Sequence, residues 1–179
     1  MPEPDPVQLL RRESLHRGRV FELVHEHIRL PSGREQSLDL VLHPGAVAIA
    51  ARDTAGRLAL VRQYRRAADC WMTEVPAGRL EPGEAPLVAA QRELEEETGL
   101  LAGRWTELFA FFAAPGFCSE KLFLFLAEDL APAGADRRGP DADEELDLVW
   151  MRPEDVLHLE PKDAKTLIAA LTLLAAQGR

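Results

Sequence analysis

The sequence predicts a mixed α/β chain of the α+β kind, with helices inserted among mainly antiparallel or mixed strands. Alternating or branched apolar residues fill 20–30 and 37–43, and the turn signal Pro31-Ser32-Gly33 between them makes this a hairpin. Helical spacing first shows at Pro86, where Leu87, Ala90 and Leu94 recur at the period of one helix face. Strands and helices do not alternate regularly along the chain, which excludes a doubly wound parallel sheet.

After the hairpin, His43-Pro44-Gly45 breaks the chain before the apolar run 46–51, which is short enough for a buried strand. Residues 53–56 form a turn and 58–63 the next strand. Pro86 suits a first helical turn, and Gly99 is the expected stop. Residues 105–112 and 121–128 read as two further strands around the turn-forming Ala114-Pro115-Gly116. A strand over 146–151, a short helix over 153–158 and a longer helix over 162–176 follow, the last with Leu167, Leu171 and Leu174 on one side. Residues 1–43 thus divide off as a tail and hairpin, and 44–179 as the main domain.

A chain of 179 residues suits one domain with a proper core and a small appendage. Its composition, 46% hydrophobic and 28% charged, is that of an ordinary globular protein. No apolar run approaches the roughly 20 residues that a membrane-spanning helix needs. The opening Met-Pro-Glu-Pro-Asp-Pro lacks the basic start and apolar middle of a secretion signal, so the expected location is the cytoplasm. A net charge of −9 argues against nonspecific nucleic-acid binding. An acidic protein can still bind phosphate locally, through a few placed arginines or metal ions bridging it to carboxylates. Cys70 and Cys118 are too few and too far apart for a disulfide framework or a zinc site, and are expected to be packing residues. Among His16, His25, His27, His43 and His158 only the alternate pair His25 and His27 has any regular spacing, which β patterning accounts for.

Chemistry concentrates between Gly78 and Leu100. On a helix Glu93 and Glu97 are one turn apart and Glu96 lies beside them, so the three can face one small volume. Such crowding of like charge needs cations, and a hard divalent ion with oxygen ligands is the natural partner. Arg92 can pair with a neighbouring glutamate and fix its rotamer. An acidic helix alone is usually a solvated face. Here, however, the whole stretch fits G-x5-E-x7-R-E-U-x-E-E-x-G-U, with U apolar, at Gly78, Glu84, Arg92, Glu93, Leu94, Glu96, Glu97, Gly99 and Leu100.

On these nine positions the chain resembles the Nudix hydrolases. The resemblance implies an α/β/α sandwich with a mixed sheet, plus a small N-terminal antiparallel sheet, and hydrolysis of a nucleoside diphosphate linked to another group. It makes Glu93, Glu96 and Glu97 the metal-binding and catalytic glutamates, with magnesium as the expected ion and manganese as a substitute. Glu84 and Arg92 are the supporting pair that orients those carboxylates. The segments Val61-Arg62-Gln63-Tyr64-Arg65, Glu74-Val75-Pro76-Ala77-Gly78 and Pro115-Gly116-Phe117 are similar to those of the ADP-ribose pyrophosphatase branch. This similarity implies that Arg65 contacts substrate phosphate and that the Ala77 carbonyl joins the metal site. It also places Glu74, Leu80, Pro115 and Gly116 beside the substrate.

A second acidic cluster, Asp141, Asp143, Glu144 and Glu145, follows the loop 131–140. Loops on a rigid scaffold often carry mobile catalytic groups. In the resembling branch a glutamate from such a loop closes over substrate, and Glu144 is the candidate here. The hairpin resembles the extra sheet that is exchanged across a dimer in that branch. It implies a homodimer whose pocket borrows Phe21 or Arg29 from the partner. Two rival readings stay open: another Nudix substrate, such as a nucleotide sugar, a reduced dinucleotide, a dinucleoside polyphosphate or a nucleoside triphosphate, and a noncatalytic nucleotide-binding module. The second would be expected to have lost box glutamates, and here all are present.

Overall fold

The structure is a computed structural model and describes residues 6–134, 139 and 146–177. The described residues fall into two compact units, one made of those up to 45 with 112–121, the other of 46–111 with those from 122 onward.

The first unit is a three-stranded antiparallel sheet in the order β1 (Gln8–Arg17), β2 (Glu22–Arg29) and β3 (Glu35–Leu42). Val24, Glu26 and Ile28 alternate along β2 and are buried, as the period of two requires of a strand with one covered face. Glu26 is tolerable there because Arg12, its cross-strand partner on β1, donates to it at 2.7 Å. The segment 112–121 docks on β3, where Val41 donates its N–H to Phe117 and accepts that of Ser119, at 2.8 and 2.9 Å. The hairpin expected over 20–43 is therefore two strands of a three-stranded sheet. Sequence reading missed β1 because all its residues are exposed and arginines stand among its leucines. Main-chain pairing and cross-strand ion pairs hold it, with no buried face to signal it.

The second unit contains a mixed four-stranded sheet in the order β7 (Ala77–Arg79), β4 (Ala46–Ala51), β9 (Lys121–Pro132) and β8 (Leu100–Phe112). It also contains a three-stranded sheet in the order β10 (Asp147–Met151), β5 (Leu58–Arg65) and β6 (Cys70–Glu74). β4 is buried along its whole length. Its Val47, Ile49 and Ala51 pack against Ala89, Ala90 and Leu94 of helix α1 (Pro86–Thr98). On its other face Ala46, Ala48 and Ala50 share a core with Val156 of α2 (Pro153–Val156) and with Ala169, Ala170 and Leu173 of α3 (Ala164–Gln177). This is the α/β/α sandwich that the sequence implied. Strands β6 and β7 were not foreseen, since both are short and Pro76 interrupts the run between them. β8 starts earlier and β9 ends later than the apolar runs 105–112 and 121–128. None of the described helices is long and apolar enough to cross a membrane.

The helix that carries the box is delimited by local chemistry. Pro86 opens it with a fixed φ and no N–H to leave unpaired. Gly99 closes it in the left-handed region, at φ 68°, and returns its N–H to the Glu95 carbonyl at 2.9 Å. Between these ends the apolar face turns to β4, which leaves Arg92, Glu93 and Glu96 at the edge of β7.

Candidate active site

Arg92 is the hub of the site. Its Nε and Nη2 donate to the two oxygens of Glu84 at 3.0 Å each, a bidentate pair across the loop that precedes the helix. Its Nη1 donates to Glu93 at 2.6 Å and to Glu96, one turn on, at 3.1 Å. Nη2 also reaches the Arg79 carbonyl at 3.1 Å, which ties the end of β7 to α1. Hydrogen bonding from Glu84 above all, with Glu93 and Glu96 adding, raises the guanidinium well above the ordinary arginine value, against the effect of burial. Glu84 is fixed in turn by accepting the Glu81 N–H at 2.9 Å.

The other two box features engage the backbone of β7. Glu97 is buried and accepts the Ala77 N–H at 3.0 Å. Glu93 lies so close to Gly78 that a Cβ there would fall 1.9 Å from its carboxyl carbon. A glycine at 78 thus lets Glu93 lie against the backbone, and serves by close approach rather than by backbone conformation, since its φ is not positive. The structure brings Glu84, Arg92, Glu93, Glu96, Glu97, Ala77 and Gly78 into one place.

The donor set is all oxygen, as a hard divalent cation prefers. Yet among the described residues no three His, Cys, Asp or Glu side chains converge as ligands of one ion would. The reason is local: Glu93 and Glu96 turn to Arg92, and Glu97 turns to Ala77. For the three carboxylates to take one cation, these contacts would have to be exchanged for it.

Beside the box lies a second charged network. Glu74, at the end of β6, is almost wholly buried, and both its oxygens accept from Arg65 of β5 at 2.9 Å. Lys165 of α3 also contacts Glu74, and lies 3.1 Å from Asp163. Burial pushes the Glu74 carboxyl up, but the Arg65 hydrogen bonds and the charge of Lys165 outweigh it and hold the group at about 2. Arg65 is raised in return by its hydrogen bonds to Glu74, against burial, and also feels the charge of Glu97. Lys165 and Asp163 were not among the residues expected from sequence. Nothing local marks a lysine in the first turn of an amphipathic helix as the partner of a glutamate 91 positions earlier.

The remaining expected residues are more scattered. Leu80 is half-buried and packs against the core beneath α1. Pro115 and Gly116 belong to the first unit, in a turn closed by Phe117 and Cys118 donating to the Ala114 carbonyl at 3.1 and 2.9 Å. Phe21 is exposed there, and Arg29 pairs with Glu35 at 2.7 Å. Glu144, with Asp141, Asp143 and Glu145, lies outside the described residues. His25 and His27 meet the cross-strand residues Asp39 and Ser37 at 2.7 and 3.1 Å. Cys70 and Cys118 are free and half-buried.

Residues 41–171 match the NUDIX domain family. The chain is 40% identical over 164 residues to the ADP-ribose pyrophosphatase of Bacillus subtilis (strain 168), covering 89% of this chain and 88% of that protein. It is 37% identical over 164 residues, with the same coverage, to the methanol dehydrogenase activator of Bacillus methanolicus. A crystal structure of an ADP compounds hydrolase superposes with a TM-score of 0.83 at 26% identity and covers all of both chains.

The Glu74 network has a pH signature. A carboxyl lowered from 4.5 to about 2 on folding stabilises the native state fully above pH 4.5, and loses that contribution as pH falls toward 2. For this buried group the contribution is about 3 kcal/mol. Denaturant melts of wild type and Glu74→Gln at pH 7, 4.5 and 3 should show the variant less stable by about that amount at pH 7, with the gap narrowing through the acid range. A constant gap would contradict the assignment.

Proposed function

We propose that this chain, which belongs to the NUDIX family, hydrolyses the pyrophosphate bond of ADP-ribose to AMP and ribose 5-phosphate. The observation that carries the reading is the complete box assembled on β7, with Glu93 against Gly78, Glu97 on Ala77 and Arg92 tying Glu84, Glu93 and Glu96 together. The substrate assignment is supported by the relatives named for ADP-ribose and ADP compounds.

A pyrophosphate resists attack because its anionic oxygens repel an incoming oxygen nucleophile. We assign Glu93, Glu96, Glu97 and the Ala77 carbonyl as holders of magnesium, for which manganese can substitute. An ion held there would supply positive charge to the phosphoryl oxygens and lower the pKa of a water. Arg92, itself held by Glu84, fixes the carboxylates of Glu93 and Glu96. Arg65 commits Nε and Nη2 to Glu74, and Nη1 is the donor we assign to a substrate phosphate. A box glutamate, or Glu144 from the acidic loop, takes the proton of the attacking water. Leu80 is assigned to the wall of the substrate pocket.

The chain acts as a cytoplasmic homodimer in this reading. The first unit exposes the large apolar side chains Val7, Leu9, Leu10, Leu15, Val20 and Phe21. A second copy is the covering partner, and Phe21 or Arg29 would then reach the neighbouring pocket. Light scattering should give twice the chain mass of 19.9 kDa, and Leu15→Glu should shift the protein toward monomer. A wild-type monomer would remove this part of the proposal.

Two substitutions test the chemistry. Glu97→Gln should reduce AMP formation from ADP-ribose and magnesium by at least about 100-fold, and unchanged turnover would reject the assignment. Gly78→Ala should fold with nearly the wild-type melting temperature, because the side chain it meets can swing aside, yet lose about 100-fold in kcat because Glu93 is displaced. Full activity in that variant would show that the close approach has no bearing on catalysis.

A further inference from the structure

The five residues Glu74-Val75-Pro76-Ala77-Gly78 join β6 to β7 and carry two backbone features of the site, the amide under Glu97 and the bare face under Glu93. The segment passes between strands and contains a proline, so sheet pairing cannot supply all its hydrogen-bond partners. It is held from several elements. Glu74 is gripped by Arg65 of β5 and Lys165 of α3. Val75 donates its N–H to Thr166 Oγ1 at 2.9 Å, and the Pro76 carbonyl accepts the Ile49 N–H of β4 at 2.9 Å. Ala77 and Gly78 then meet Glu97 and Glu93 of α1.

The α3 contribution is directional. Thr166 is 2% exposed, and the single proton of its hydroxyl goes to Asp163 Oδ2 at 2.6 Å. Its oxygen therefore meets Val75 as an acceptor. Asp163 also accepts the Thr166 N–H at 2.9 Å, as a cap at the head of α3, and pairs with Lys165, which closes the loop back to Glu74. Capping the helix needs Asp163 alone. The hydrogen bond to Val75 and the grip on Glu74 serve the segment, not the helix.

We propose that Asp163, Lys165 and Thr166 are positioning residues for the hydrolysis, through which the first turn of α3 sets Ala77 and Gly78 against Glu97 and Glu93. They act through Glu74 and Val75, and what they tune is the geometry in which the box carboxylates take a divalent cation. The inference rests on the reading of the site as a metal-dependent hydrolase.

Thr166→Val keeps the shape of the side chain and removes both hydroxyl hydrogen bonds, whereas Thr166→Ser keeps them. By isothermal titration calorimetry Thr166→Val should bind Mn²⁺ about tenfold more weakly than wild type. Its kcat on ADP-ribose should fall by about the same factor with KM moved less than about twofold, while Thr166→Ser stays within about twofold throughout. Equal Mn²⁺ affinity in wild type and Thr166→Val, no Mn²⁺ binding by wild type, or equal losses in Val and Ser variants would overturn the proposal. If Thr166→Val does not fold, Lys165→Met, which leaves the Arg65 pair to hold Glu74, carries the same comparison. A wild type that binds Mn²⁺ but leaves ADP-ribose intact would sink the substrate reading alone, since the calorimetric comparison still decides the positioning role.

Discussion

Four carboxylates gathered at one end of a short strand repel one another, by about 4 kcal/mol for two unit charges 4 Å apart near a protein surface. Arg92 makes the gathering possible, because one planar guanidinium offers enough donors to hold Glu84, Glu93 and Glu96 together while also reaching the Arg79 carbonyl. Lysine in its place would bring the charge without the fork. Much of the site follows from that choice. Once Glu93 is drawn to Arg92 it lies on the backbone at position 78, and only a residue without a side chain leaves it room. Glu97, facing inward, finds the Ala77 N–H.

The scaffold beneath is built to let this happen. β4 has alanine at four of its six positions, and all six are buried. Small side chains on its α3 face let Ala169 and Ala170 approach closely, and Val47 and Ile49 on the opposite face receive the alanines of α1. β7 pairs with β4 at Ala48↔Ala77 and Val47↔Gly78, so the backbone atoms that meet the glutamates are registered against the most deeply buried strand of the unit. A site built on a rigid element loses less of its geometry to thermal motion than one carried by loops alone.

How much of this could be read from sequence depends on the range of the interactions. Pro86, the helical recurrence of Leu87, Ala90 and Leu94, and Gly99 are local signals, and α1 lies where they put it. The box glutamates were legible for the same reason: one helix and its preceding loop carry all of them. β1 was illegible because Arg11, Arg12 and Glu13 on an exposed strand mimic a polar tail until β2 is there to pair with it. β6 and β7 are too short for a period of two to show. The partnership of Glu74 with Lys165 was illegible in a deeper sense, since each residue alone has an ordinary surface reading and only the chain's return on α3 brings them together.

Breaking that same network is costly, but against an apolar replacement it is hard to justify as a source of stability. Arg65, Glu74, Lys165 and Asp163 sum to zero charge, but taking such groups out of water costs so much that well-packed apolar residues of similar volume would hold the elements together as well or better. What apolar packing cannot supply is direction. A carboxylate with three donors, an amide aimed at one hydroxyl and a hydroxyl committed to one acceptor permit a single placement of the chain between β6 and β7, whereas a greasy contact tolerates sliding. The stretch held this way is the one on which Glu93 and Glu97 rest. A buried ionic network placed there is best understood as stiffness supplied to the box glutamates, and its desolvation cost as the penalty for fixing atoms to within a fraction of an ångström.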